Sequence, residues 1–114
     1  NCFLVKTTAK LNYPDNYFDL VVSREVLEHI PSNQIDACIN EWGRVSKGKM
    51  IHIIAVEERG PSAIDDPAHV NVQTEKWWIN KFKKHGYRTI KKPKKLFFSP
   101  FGNQGYLMCI KDKL

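Results

Sequence analysis

Cysteine is sparse and poorly placed for cross-linking. Cys2, Cys38 and Cys109 are odd in number and widely spaced, which suggests neither a disulfide framework nor a metal knuckle. Each reads as a small buried hydrophobe, and this usage fits a reducing cytoplasm. Long apolar runs are also missing: none approaches the roughly 20 residues that a membrane-spanning helix needs, so no membrane role is expected. The four histidines, His29, His52, His69 and His85, stand far apart with no paired ligand spacing, so the sequence predicts no metal site. No secretion-type segment, internal repeat, low-complexity tract or linker stands out. What remains is a chain of 114 residues with 42% hydrophobic content, enough for one compact globular domain at most.

Charge is present, and it is uneven. The formal net charge is +6, with the excess concentrated in Lys81, Lys83, Lys84, Arg88, Lys91, Lys92, Lys94 and Lys95. Such a strip would attract a phosphate backbone or anionic lipid. No stacking aromatics are regularly interleaved with these lysines, so a solvated helix face and a lysine-guarded edge strand are the favoured reading.

Hydrophobic periodicity divides the chain into alternating elements. Phe18 to Val22 is a short apolar run, preceded by the turn residues Pro14-Asp15-Asn16 and followed by the polar Ser23-Arg24-Glu25. It reads as a strand covered on both faces by helices. A helical turn then runs to Ile30 and stops at Pro31. Ser32 is expected to cap the next helix, whose Ile35, Cys38, Ile39, Trp42 and Val45 recur every three or four residues and form one buried stripe. Met50 to Val56 reads as a second buried strand. Thr74 caps a further helix carrying Trp78, Ile79 and Phe82 on one face and ending at Gly86. Tyr87 to Phe98 and Tyr106 to Lys111 read as two more strands. In open parallel sheets, ligands lie beyond the carboxyl ends of the strands, which places Ser23, Arg24 and Glu25 beside a ligand.

The segment Pro14-Asp15-Asn16-Tyr17-Phe18-Asp19, a hydrophobic strand, then Val26-Leu27-Glu28-His29 closely resembles the signature of class I S-adenosylmethionine-dependent methyltransferases at their fourth strand and the helix after it. The resemblance extends roughly from residue 3 to the C-terminus. It implies a partial Rossmann-like α/β sheet in a three-layer sandwich. Phe18 to Ser23 and Met50 to Val56 would be parallel neighbours, with an antiparallel C-terminal strand pair whose last member lies beside the latter. The family's glycine-rich turn after its first strand and the acidic end of its second strand have no counterpart here. Residues 1–114 are therefore expected to be the C-terminal half of a methyltransferase domain, with the glycine-rich N-terminal half absent. The uncovered edge of the Phe18 to Ser23 strand would then be left unpaired or would join a second copy of the chain.

The resemblance also implies a cofactor, S-adenosylmethionine, with Thr7, Thr8, Ser23 and Arg24 as its contacts. Thr7 and Thr8 fall where the family has an acidic-then-small pair that reaches the adenine; the acidic member is missing. Glu28 and His29, one helical turn beyond Ser23, are candidates for catalysis. His69, in the loop Asp65 to Asn71, is the leading candidate for a substrate-contacting or proton-accepting group. The structural alternative is that Asp66 and His69 bond to each other and to nearby backbone to shape the loop. Methyl transfer to a small molecule or metabolite is the function expected. Its alternatives are a non-catalytic methyltransferase-like binding module and an RNA-binding or RNA-modifying role for the Lys81 to Lys95 strip.

Overall fold

A computed structural model describes residues 10–90 and 106–111 of the chain. Strands β1 (Val21–Arg24), β2 (Lys49–Ile53), β3 (Tyr87–Ile90) and β4 (Tyr106–Lys111) form one sheet in the order β1-β2-β4-β3. Helices α1 (Ser32–Val45), α2 (Pro61–Ile64) and α3 (Glu75–Lys84) connect them, with 3-10 turns at Leu27–His29 and Glu57–Arg59. β1 and β2 are parallel, with Val21 opposite Met50 and Ser23 opposite His52. β4 runs antiparallel to both β2 and β3. The parallel pair, its helical crossover and the antiparallel insertion of the last strand all follow the expected topology.

Register decides what each face of the sheet carries. Val21 and Ser23 share a face with Met50 and His52, and α1 and α3 cover that face. The His52 ring is stacked between Trp42 of α1, with centroids 5.6 Å apart, and Phe82 of α3 at 5.1 Å. Around this stack lie Ile35, Cys38, Ile39, Met50, Ile54, Trp78 and Tyr87, all buried. The α1 stripe is thus buried as its spacing requires. Burial pushes the Cys38 thiol up to about 12, so it is an inert core group.

Several features differ from expectation, and β2 ends at Ile53, three residues before the Val56 expected. β1 begins at Val21, whereas Phe18 makes only an isolated parallel bridge to Ser46. Asn16, held at φ 57° in the turn before it, donates its N–H to the Arg44 carbonyl at 2.8 Å and so ties this segment to α1. The strand is also covered on one face only: Leu20 is 44% and Val22 51% exposed. β1 is an edge strand among the described residues, and none of them covers these two side chains. Finally, Pro31 occupies the N-cap of α1, with Ser32 as its first helical residue and no side-chain cap. Proline suits this position because its fixed φ of −54° adjoins a helix start that needs no N–H.

The other helix ends are conventional. Thr74 Oγ1 accepts the Trp77 N–H at 3.1 Å, capping α3. Gly86 leaves α3 at φ 85°, a conformation that costs glycine little. Trp77 carries the Lys81 ammonium 5.1 Å above its ring. Near the end of α1, Arg44 clasps Glu41 at 2.6 and 2.9 Å and donates to the carbonyls of Tyr13 and Leu11. The guanidinium holds the Glu41 carboxyl down at about 2. One side chain therefore fastens the entering segment to the helix.

Candidate functional site

The carboxyl ends of β1 and β2 are joined by polar contacts. Glu25 follows β1 at φ 52°, donates its N–H to the Ile53 carbonyl at 2.7 Å, and pairs with Arg59 at 2.5 Å. Left-handed backbone is uncommon for a glutamate. It turns the chain sharply into Leu27–His29, a turn that buries Leu27 and Glu28 and exposes His29.

Glu28 spans the two strand ends. Its Oε1 accepts the Ala55 N–H at 3.1 Å, and its carbonyl accepts the Asn71 N–H at 3.0 Å. The loop after α2 is thereby pinned over the turn after β1. Glu28 Oε2 is buried and has no hydrogen-bond partner among the described residues. Desolvation raises the Glu28 pKa, opposed by its backbone hydrogen bonds and by the nearby His29 and His69.

The two histidines meet above this carboxylate. Their rings lie 4.8 Å apart at 76°. His29 Nδ1 is 2.8 Å from the Ala68 carbonyl, and His69 Nδ1 is 2.7 Å from the Ala63 carbonyl. A carbonyl can only accept, so both rings donate from Nδ1, and in the neutral form each keeps its Nε2 lone pair. His69 Nε2 stands 3.5 Å from Asp66 Oδ2, while Asp66 Oδ1 accepts the Ala68 N–H at 2.9 Å. Glu28, His29 and His69 each offer one ligand-type atom, and all three atoms lie within 4.8 Å of one another.

All three candidate catalytic residues therefore converge. So do the contacts of the structural alternative, because His69 is bonded to the backbone and faces Asp66. The candidate cofactor contacts do not act together. Ser23 is buried and its hydroxyl lies 2.6 Å from His52 Nδ1, so it serves an internal pair. Arg24 is exposed at the end of β1, with no ion pair from its side chain among the described residues. Thr7 and Thr8 lie outside the described residues. Spacing alone gave no hint of a joint site, since 40 residues separate His29 from His69; the fold supplies the proximity.

Two other polar regions hold their own charges. Lys81 and Lys84 approach Asp36 at 3.4 and 3.9 Å, and His85 reaches it at 2.7 Å. The hydrogen bond from His85 lowers the Asp36 pKa. Part of the lysine strip is thus paired at its helical end; Lys91, Lys92, Lys94 and Lys95 lie outside the described residues. An open cleft of about 300 Å³ is lined by Asn40, Arg44, His85 and Tyr87 among others. Its Arg44 and His85 are already committed to Glu41, Asp15, Asp36 and Asn40. No described helix is long and apolar enough to cross a membrane.

Comparison with known proteins agrees with this fold. Residues 2–54 match the family model described as a methyltransferase domain. A solved methyltransferase complex with the Trm112 methyltransferase activator of Haloferax volcanii is similar over 97% of this chain, with a TM-score of 0.68 and 12% identity. An S-adenosylmethionine-dependent methyltransferase from Thermotoga maritima, described as a candidate histamine N-methyltransferase, is similar over 96%, with a TM-score of 0.64 and 16% identity. The chain has a class I methyltransferase fold. It spans 62% and 63% of the length of those two structures. A methyltransferase from Bacillus halodurans is similar over 77% of the chain, with a TM-score of 0.59 and 16% identity. No curated protein sequence matches it. In this methyltransferase fold, the Glu28, His29 and His69 cluster lies beyond the carboxyl ends of two neighbouring parallel strands, where ligands of open α/β sheets bind.

Proposed function

We propose that this chain is the C-terminal, acceptor-side part of a methyltransferase domain, and that the full-length protein transfers a methyl group from S-adenosylmethionine to a small molecule or metabolite. The observation that carries this reading is the convergence of Glu28, His29 and His69 at the ligand-binding edge of a methyltransferase fold. The exposed Arg24 guanidinium at the end of β1 fits the carboxylate end of the cofactor. When bound, S-adenosylmethionine supplies a methyl carbon on a positively charged sulfur, open to in-line attack.

What this chain must do is hold the acceptor in line, since alignment of the reacting atoms supplies much of the rate. His69 Nε2 and His29 Nε2 can each accept a hydrogen bond from an acceptor O–H or N–H. The Nδ1 bonds to Ala63 and Ala68 keep both rings from swinging away. Glu28 holds the loop and the turn together from below.

The test is direct. Full-length protein incubated with S-adenosylmethionine and a panel of small hydroxyl and amine acceptors should release S-adenosylhomocysteine in step with one methylated acceptor. The 114-residue chain alone should bind the cofactor weakly or not at all. Full-length protein that binds no S-adenosylmethionine would overturn the proposal and favour the binding-module alternative.

A further inference from the structure

We propose that Glu28, His29 and His69 form a binding site for one divalent transition-metal cation. The inference concerns the same cluster but does not depend on methyl transfer being the reaction; with the cation bound, an acceptor would be held through it and not by the Nε2 lone pairs themselves. Three observations support it. The first is proximity: one carboxylate oxygen and two imidazole nitrogens lie within 4.8 Å of one another. The second is orientation. Each ring donates its Nδ1–H to a backbone carbonyl, at 2.8 Å for His29 and 2.7 Å for His69. That arrangement fixes the neutral tautomer and leaves Nε2 as the ligand nitrogen, as the outer contacts of metal-bound histidines ordinarily do. The third is need. Glu28 is fully buried, and its Oε2 has no hydrogen-bond partner among the described residues. A buried carboxylate oxygen without a partner is costly, and a cation would satisfy it.

The donor set selects the cation. Two imidazoles and one carboxylate suit Zn²⁺, Mn²⁺, Co²⁺ or Fe²⁺. Mg²⁺ and Ca²⁺ favour all-oxygen shells and should bind worse. Metal–ligand bonds of roughly 2.0–2.2 Å put two ligand atoms at most about 4.4 Å apart. A separation near 4.8 Å must therefore close on binding, and the exposed His29 ring can tilt to do so while its Nδ1 stays on the Ala68 carbonyl. Asp66 Oδ2, 3.5 Å from His69 Nε2, adds negative charge beside the site. Three protein ligands leave coordination positions open, where a solvent or acceptor oxygen could bind and be oriented.

The experiment needs no cofactor or acceptor. Chelator-stripped full-length protein is titrated with Mn²⁺, Co²⁺ or Zn²⁺ and followed by calorimetry, with Co²⁺ also followed by visible absorption. One equivalent should bind, with Mg²⁺ at least about tenfold weaker. His29→Ala and His69→Ala should each weaken uptake at least about tenfold, and His85→Ala, at the distant Asp36 cluster, should leave it unchanged. His29 is exposed, so its variant is informative even where His69→Ala fails to fold. Failure of all three cations to bind stoichiometrically, or binding that survives unchanged in His29→Ala, would overturn the site. Either failure would leave methyl transfer to be judged separately by S-adenosylhomocysteine release.

Discussion

Two of the histidine centres in this small fold are built in opposite ways. His52 lies in the core between Trp42 and Phe82, with Nδ1 on the Ser23 hydroxyl. His29 and His69 lie at the sheet's carboxyl edge, with Nδ1 on backbone carbonyls and one ligand-type atom of each within 4.8 Å of one on Glu28. In the first centre, packing removes water and burial drives the His52 pKa down to about 3. The imidazole there is a neutral, flat core side chain. In the second, backbone acceptors fix the rings while leaving a lone pair on each. The comparison teaches that what surrounds an imidazole, more than its presence, separates core from chemistry.

Breaking the core centre should have the largest effect on stability. Phe82→Ala removes one wall of the stack around His52 and should cost about 3–5 kcal/mol, because the cavity adds to the lost transfer energy. Urea unfolding at neutral pH measures it. His29→Ala, at an exposed position, should cost under about 1 kcal/mol in the same assay. Comparable losses for the two would erase the distinction between the centres.

A pH series sharpens the contrast. The folded-state pKa of His52, about 3, lies below the ordinary 6.5, so the unfolded chain takes up a proton that the folded chain refuses. Its contribution to stability is complete above pH 6.5 and is lost as pH falls from there towards 3. The slope should be at most about 1.4 kcal/mol per pH unit. His52→Phe should flatten that slope between pH 6.5 and 5. An unchanged slope would assign the acid sensitivity to other groups.

A smaller effect is expected at the α3 cap. Thr74→Ala forfeits the bond to the Trp77 N–H and should cost about 1 kcal/mol of stability. Turnover per folded molecule should stay the same, because the lost bond is internal to the start of α3, which supports the core centre. Loss of turnover beyond the loss of folded protein would show that the two centres are coupled.

How much of this was legible in the sequence depends on how local each cause is. The stripe from Ile35 to Val45 and the Thr74 cap are written in spacing and neighbouring residues, and they appear in the structure as read; the strand expected over Met50 to Val56 appears as Lys49–Ile53. The expected two-sided burial of the strand at Phe18 to Val22 did not hold among the described residues. An apolar run shows that side chains can be buried, whereas coverage depends on what packs over them; Val22 has nothing described above it. Ser23 was assigned to a ligand from its position at a strand end, yet a partner 29 residues away claims its hydroxyl.

Tertiary contact also explains Gly43. A Cβ at this position would come 1.9 Å from the Tyr87 hydroxyl, so glycine within α1 makes room for a residue of β3. Nothing in the helix pattern signals this. The site followed the same logic. Glu28, His29 and His69 were each legible as candidates from their places near strand ends, but their meeting, the shared Nδ1 anchoring and the unpartnered Glu28 oxygen arise only when the loop after α2 folds over the turn after β1.

The central claim is that this edge cluster acts on the methyl acceptor. The most direct measurement is S-adenosylmethionine-dependent turnover of the full-length protein with His69→Ala, alongside cofactor affinity measured by calorimetry. The account predicts turnover lower by at least about tenfold, equivalent to roughly 1.4 kcal/mol of transition-state stabilisation, with cofactor affinity nearly unchanged. Equal turnover of the wild type and the variant would contradict it and reduce His69 to the loop-shaping role that its bonds to Ala63 and Asp66 also allow.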